Sequence, residues 1–167
     1  MPVQRLNHAV LYVRDLDRSL AFYTEALGFR QVAGIPGKAA FLQAEGSSND
    51  HDLGLFAVGA DAVSSAAGRG SVGLYHLAWE VDTLAELARI SDVLTARGAL
   101  VGASDHGSTK ALYAQDPDGL EFEVSWLVPA AQLDDDHEMR IARLDLPAEI
   151  ARYGAQTRGG VGVSVPA

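Results

Sequence analysis

The chain has no cysteine, which excludes disulfides and thiolate metal sites. It is also short of positive charge: 13 Lys and Arg stand against 22 Asp and Glu, a formal net charge of -9. Nucleic-acid phosphates would be repelled by such a surface, so nucleic acid is not an expected partner. No apolar run approaches the roughly 20 residues of a membrane span, and the opening "MPVQRLNHAV" has no cleavable signal pattern. The expected location is therefore the cytoplasm, away from any membrane. What remains for building a ligand site is His, carboxylates and hydroxyls. The composition is otherwise ordinary for a globular protein, 48% hydrophobic and 21% charged over 167 residues. A chain of this size buries roughly two-thirds of its unfolded surface, enough for a core without staples.

What the chain does have is an internal repeat. "LNHAVLYV" (6–13) and "LYHLAWEV" (74–81) both read as strands and carry Leu, His and Val at matching places. Each leads into a helix. In the first half Asp15 or Asp17 can cap a helix that Gly28 stops, with a stripe of Leu20, Tyr23 or Thr24, and Leu27. In the second, Asp82 or Thr83 opens a helix that Gly98 closes, striped by Leu84, Leu87, Ile90 or Ser91, and Leu94. Three strand candidates follow each helix: 29–34, 38–44 and 51–58, then 99–104, 110–115 and 119–126, separated by turns such as "IPGK" and "DPDG". The expectation is an α+β chain of two βαβββ modules, 1–58 and 74–126. A Gly/Ala/Ser-rich linker (59–73) joins them, and a C-terminal tail (127–167) carries a short helix near "PAEIARYG".

Strand alternation sorts the polar side chains. On 119–126, Leu120, Phe122, Val124 and Trp126 share the face expected against a helix, leaving Glu121, Glu123 and Ser125 opposite. On 74–81, Tyr75, Leu77, Trp79 and Val81 form the apolar face, with His76, Ala78 and Glu80 opposite. His8 goes with Leu6, Val10 and Tyr12, His51 with Leu53 and Leu55, and Tyr113 with Ala111 and Gln115. A lone His in a strand is more often a packed or surface residue than a ligand, and His137, within "LDDDHEM", is read that way. His8 and His76 occupy the same slot of a repeat, which packing inherited from a common ancestor would also explain. Glu123 weighs against that, because a carboxylate in a strand core needs a partner. His8, His76 and Glu123 on one concave face would make a metal site of the two-His, one-carboxylate type.

The two βαβββ halves, each opening on a His-bearing strand, and the "DPDG" turn before the last strand resemble the vicinal oxygen chelate superfamily. Its members include glyoxalases, fosfomycin-resistance proteins, bleomycin-binding proteins and type I extradiol dioxygenases. The resemblance covers about residues 5 to 126 and implies an open, cup-shaped mixed sheet around a metal that chelates a substrate through two adjacent oxygens. Within the superfamily, "SDHGSTKALYAQDPDGLEFEV" (104–124) resembles the ring-cleavage signature of extradiol dioxygenases: His106, then "LY" at 112–113, "DPDG" at 116–119, and Glu123. The resemblance implies metal ligation by His8, His76 and Glu123, contacts of His106 and Tyr113 with substrate or bound oxygen, and acid–base work for His51 of "HDLGLF". Ser104 departs from the residues usual at the head of that signature, and most dioxygenases of this type carry four modules where this chain has two.

The function so implied is ring cleavage of a catechol-like vicinal diol by O2, with Fe(II), or Mn(II) or another divalent metal on the same ligands. Three protein ligands leave room for a chelating diol and O2. An imidazole that titrates near neutrality can take a diol proton and return one later, which is the role assigned to His51. The alternatives are a metal-dependent transferase or isomerase of the same superfamily, such as a fosfomycin-type thiol transferase or a glyoxalase, and a metal-free binding protein of the bleomycin-sequestering kind. The transferase has no need of His51 and His106, and the binding protein has no need of the triad. A homodimer is expected, because a two-module cup leaves exposed sheet edges.

Overall fold

The computed structural model describes residues 2–3, 5–67, 70–133 and 141–164. The acidic run with His137 lies outside the described residues. The chain divides into two compact units, Met1–Ser65 with Asp116–Gly119, and Ala66–Gln115 with Leu120–Ala167.

In the first unit the order is β1 (Ala9–Val13), α1 (Leu16–Leu27), β2 (Arg30–Ile35), β3 (Ala39–Gln43) and β4 (Leu53–Ala57). The sheet order is β1-β4-β3-β2, with β1 parallel to β4 and the other pairs antiparallel. Asp15 caps α1 by accepting the Arg18 N–H at 3.0 Å, and Gly28 at φ 75° ends it. The buried stripe is Leu16, Ser19, Phe22, Tyr23 and Ala26, not the expected line through Leu20 and Leu27, which are half-buried. Small residues decide this: Ser19 and Ala26, both fully buried, let the helix sit close to the sheet while Phe22 and Tyr23 fill the space beside them. The Tyr23 hydroxyl donates to Asp116 Oδ2 at 3.1 Å. Arg14 and Arg18 both pair with Asp118 Oδ1, at 3.2 and 2.9 Å. The "DPDG" residues are thus fastened by one phenol and two guanidinium groups.

In the second unit the order is β5 (Leu77–Glu80), α2 (Leu84–Ala96), β6 (Leu100–Asp105), β7 (Thr109–Gln115) and β8 (Glu121–Leu127). The tail adds a 3-10 turn (Ala130–Gln132), β9 (Ala142–Arg143) and α3 (Leu146–Tyr153). Thr83 is the cap of α2, accepting the Glu86 N–H at 3.3 Å. Its expected stripe of Leu84, Leu87, Ile90 and Leu94 is buried throughout. The sheet order is β5-β8-β7-β6-β9. The tail helix is where it was expected, whereas β9, two residues that cover the β6 edge through Ser104 and Arg143, is an addition to the expected elements. Phe122, Val124 and Trp126 are buried on the side facing α2. Tyr75 does not join them: it precedes β5 and is 61% exposed.

Both βαβββ modules are therefore present, in an α+β fold whose described residues form two sheets and no closed barrel. Among the described residues no helix is long and apolar enough to cross a membrane.

Candidate active site

In the second unit the register fixes which side chains share the face opposite α2. Ala78, Glu123 and Tyr113 lie side by side across β5, β8 and β7, and Glu80, Ser125 and Ala111 form the next row. His76, one residue before β5, reaches forward along the strand so that its Nε2 stands 3.3 Å from Glu123 Oε2. This separation suits two ligands of one ion, since donors about 2.1 Å from a metal lie roughly 3 Å apart. The His76 Nδ1 is buried without a hydrogen-bond partner, and the Glu123 side chain is only 13% exposed. Glu121, on the same face, lies across from Gln115 at the start of β8.

Tyr113 and His106 form the neighbouring pair, with His106 Nε2 and the Tyr113 hydroxyl at 2.9 Å. The hairpin explains how residues at opposite ends of a strand meet. His106 closes the β6–β7 turn through its N–H to Thr109 C=O, and the long Tyr113 side chain extends toward it. Burial, and then the charge of Glu123, push the Tyr113 phenol above its ordinary 10.0, so it stays protonated as a donor. Tyr75 is a member of this cluster that alternation misplaced. Its ring lies 4.6 Å from that of His76, and its charge would raise Tyr113 further. The signal was adjacency: an aromatic just before a ligand-type His, outside the strand rather than in it.

In the first unit His8 and His51 lie ring to ring, with centroids 4.5 Å apart. His8 Nδ1 is 2.7 Å from Asn7 Oδ1. His51 also packs edge-on against Phe41 at 5.1 Å, and its Nδ1 is 3.3 Å from Asp50 Oδ1. Asp50 was not singled out from sequence. Its carboxyl is held below the usual range, chiefly by the His51 N–H. His51 does not follow the strand alternation expected of it. Leu53 and Leu55, paired with Ala9 and Leu11, are fully buried, so strict alternation would send His51 into the core with them. The strand starts only at Leu53, and Asp52 forms a bend. Its carboxylate accepts from Ala44 N, Ser47 Oγ and Asn49 Nδ2, which turns His51 out beside Phe41.

The register also assigns a slot that sequence reasoning left open. If His8 and His76 correspond, so do Val10 and Ala78. Val10 pairs with Gly54 where Ala78 pairs with Glu123. The first module thus has glycine where the second has its carboxylate. A Cβ there would already stand 3.3 Å from Val10 Cγ2. That slot supplies no further carboxylate ligand.

Among the described residues no three His, Asp or Glu side chains are gathered where one ion could be held. The pairs are His76 with Glu123 in one unit and His8 with His51 in the other.

Comparison with known proteins agrees with this topology. Residues 5–124 match the Glyoxalase/Bleomycin resistance protein/Dioxygenase superfamily, and the chain belongs to that superfamily. A catechol-2,3-dioxygenase from Bacillus subtilis is 31% identical over 119 residues, 71% of this chain and 40% of the relative. A probable chloroplastic lactoylglutathione lyase from Arabidopsis thaliana is 30% identical over 131 residues, 72% of this chain and 35% of the relative. The chain thus spans well under half the length of these curated relatives. A crystal structure of lactoylglutathione lyase from Agrobacterium tumefaciens superposes with a TM-score of 0.55 at 26% identity, covering 75% of this chain and 96% of that one.

Proposed function

We propose that this chain is a non-haem, metal-dependent dioxygenase of the extradiol type, cleaving the ring of a catechol-like vicinal diol with O2. The observation that carries the reading is the pairing of His106 with Tyr113 beside His76 and Glu123 on one face of the second module. A thiol transferase or an isomerase has no evident use for that second pair. His76 and Glu123, 3.3 Å apart, would supply two ligands of the metal, and His8 of the first unit is assigned as the third. A divalent iron bound there would accept both diol oxygens and supply the electron density that activates O2, and manganese suits the same ligands.

The residues of the chain do the rest. Asp50 at Nδ1 of His51 orients the imidazole and leaves Nε2 to take a diol proton and later return it. Tyr113, kept protonated, donates a hydrogen bond, and His106 fixes where its hydroxyl points. The superfamily's breadth supports one second reading, a glyoxalase-like isomerase, because a lactoylglutathione lyase is among the relatives. Gly54 in the slot that corresponds to Glu123 weighs against it, since a four-ligand site would want a carboxylate from the first module. The reading includes cytoplasmic action, where a reducing medium keeps iron ferrous, and a homodimer.

The test is anaerobic loading with Fe(II), and separately Mn(II), followed by admission of air with a panel of catechols. Oxygen uptake with a yellow ring-fission product is expected. Stoichiometric metal with no oxygen uptake on any catechol would leave the isomerase reading in its place.

A further inference from the structure

The 127–167 extension has no part in the chemistry above, yet its residues 155–164 are fitted closely to the second module. After α3 the chain is tied to the start of α2, with Ala85 N–H donating to Ala155 C=O at 2.9 Å. Trp126 Nε1, on the α2 side of the sheet, donates to Thr157 C=O at 3.2 Å. The chain then rounds the end of β5 and β8. Gly159 N–H donates to Asp82 C=O, and Ser164 Oγ donates to Leu127 C=O at 2.8 Å. The Val161 N–H donates to Glu80 Oε1 at 3.0 Å, and Glu80 is on the Glu123 face.

Glycine is what permits the passage. A Cβ on Gly159 would stand 1.9 Å from Leu127 O, and one on Gly160, at φ +92°, 2.0 Å from Glu80 Oε1. The same end of the sheet carries the His106 turn: Val128 N–H donates to Ser108 C=O, and Ala130 N–H to Val163 C=O. Along β5, Glu80 is two residues past Ala78, the neighbour of Glu123, or about 7 Å. That is roughly the length of one substituted ring. At this boundary the strap presents two valines to solvent, Val161 at 89% and Val163 at 43% exposure.

We infer that residues 159–164 are a wall of the substrate pocket on the second module, and that Val161 and Val163 set how large a substituent the chelated substrate can carry toward Glu80. This rests on the metal-site reading of His76 and Glu123, not on the reaction.

The experiment separates the two. Wild type, Gly160→Ala and Val161→Trp are loaded with Co(II) and titrated with hydroxamic acids graded from aceto- through benzo- to naphthohydroxamate. These chelate a divalent ion through two oxygens whether or not O2 chemistry follows. Gly160→Ala should displace the strap and raise the preference for naphtho- over acetohydroxamate about tenfold, and Val161→Trp should lower it by a similar factor. Trp126 fluorescence should change in the first variant, through the bond to Thr157. Should Gly160→Ala fail to fold, Val161→Trp, at an exposed site, carries the test. Unchanged preference, or equal shifts for all three probes, overturns the wall. A wild type that takes up no Co(II) overturns the metal reading and the wall with it. Size selection as expected, with no oxygen uptake on catechols, leaves the wall standing and removes the dioxygenase.

Discussion

At the scale of single residues, Glu123 and Glu121 make a controlled pair. They lie on the same strand and the same face, two positions apart, but only Glu123 stands against an imidazole. Glu123→Ala is expected to abolish metal binding and Glu121→Ala to leave it nearly intact, as read by metal content after loading and desalting. His51→Gln separates proton transfer from ligation. Iron should stay, while turnover falls about a hundred- to ten-thousand-fold, the usual worth of a general acid–base group. Loss of iron in that variant would make His51 a ligand and the triad wrong. Tyr23 gives the pH prediction. Burial first, then the Asp116 charge, raise its phenol well above 10.0. The folded chain therefore binds this proton more tightly than the unfolded one. The stability it contributes is whole below about pH 10 and is lost as pH rises toward the folded value. Tyr23→Phe should cost about 1–3 kcal/mol at neutral pH by leaving Asp116 short of a donor, and should flatten the alkaline limb of a urea-midpoint profile.

Among elements, the attachment of α3 is the one most open to a single change. Lys110 is fully buried on β7, on the α2 side next to Trp126. Its Nζ meets Asp105 Oδ1 at 2.5 Å and Glu149 Oε2 of α3 at 3.0 Å, and lies 5.6 Å from the Tyr153 ring centroid. Removing the cation leaves two carboxylates facing each other out of water. Lys110→Met should destabilise by about 3–5 kcal/mol, measured by denaturant unfolding. The triple change that also turns Asp105 and Glu149 into neutral amides should recover much of it. The stripe on α2 was legible in the sequence because four large aliphatic residues at helical spacing admit one buried face. That on α1 was shifted because the sheet-facing line runs through Ser19 and Ala26, which hydrophobicity does not mark.

For the whole molecule, the prediction is oligomeric state. Leu6, Val10 and Tyr12 of the first unit are 75%, 49% and 73% exposed, and among the described residues β2 is an uncovered edge along its whole length. Apolar side chains and open edges of this kind are usually covered. A homodimer is expected at micromolar concentration by light scattering. A monomer there would count against it.

The sequence by itself determined the order of elements within the two βαβββ modules, their two capped helices and the membership of Glu123 and Tyr113 in one face. Period, caps and glycine stops are local properties, and within a strand alternation follows from the pleat. It could not settle residues just outside strand ends, where alternation no longer holds. His51 is turned out by a bend that Asp52 ties down, and Tyr75 leaves the apolar face for the His76 ring. Only the tertiary structure, through strand register, put Gly54 in the slot that matches Glu123. It alone carried the tail round the sheet to Glu80, because both depend on which backbones lie side by side, and pairing between distant segments is written in no local stretch of chain.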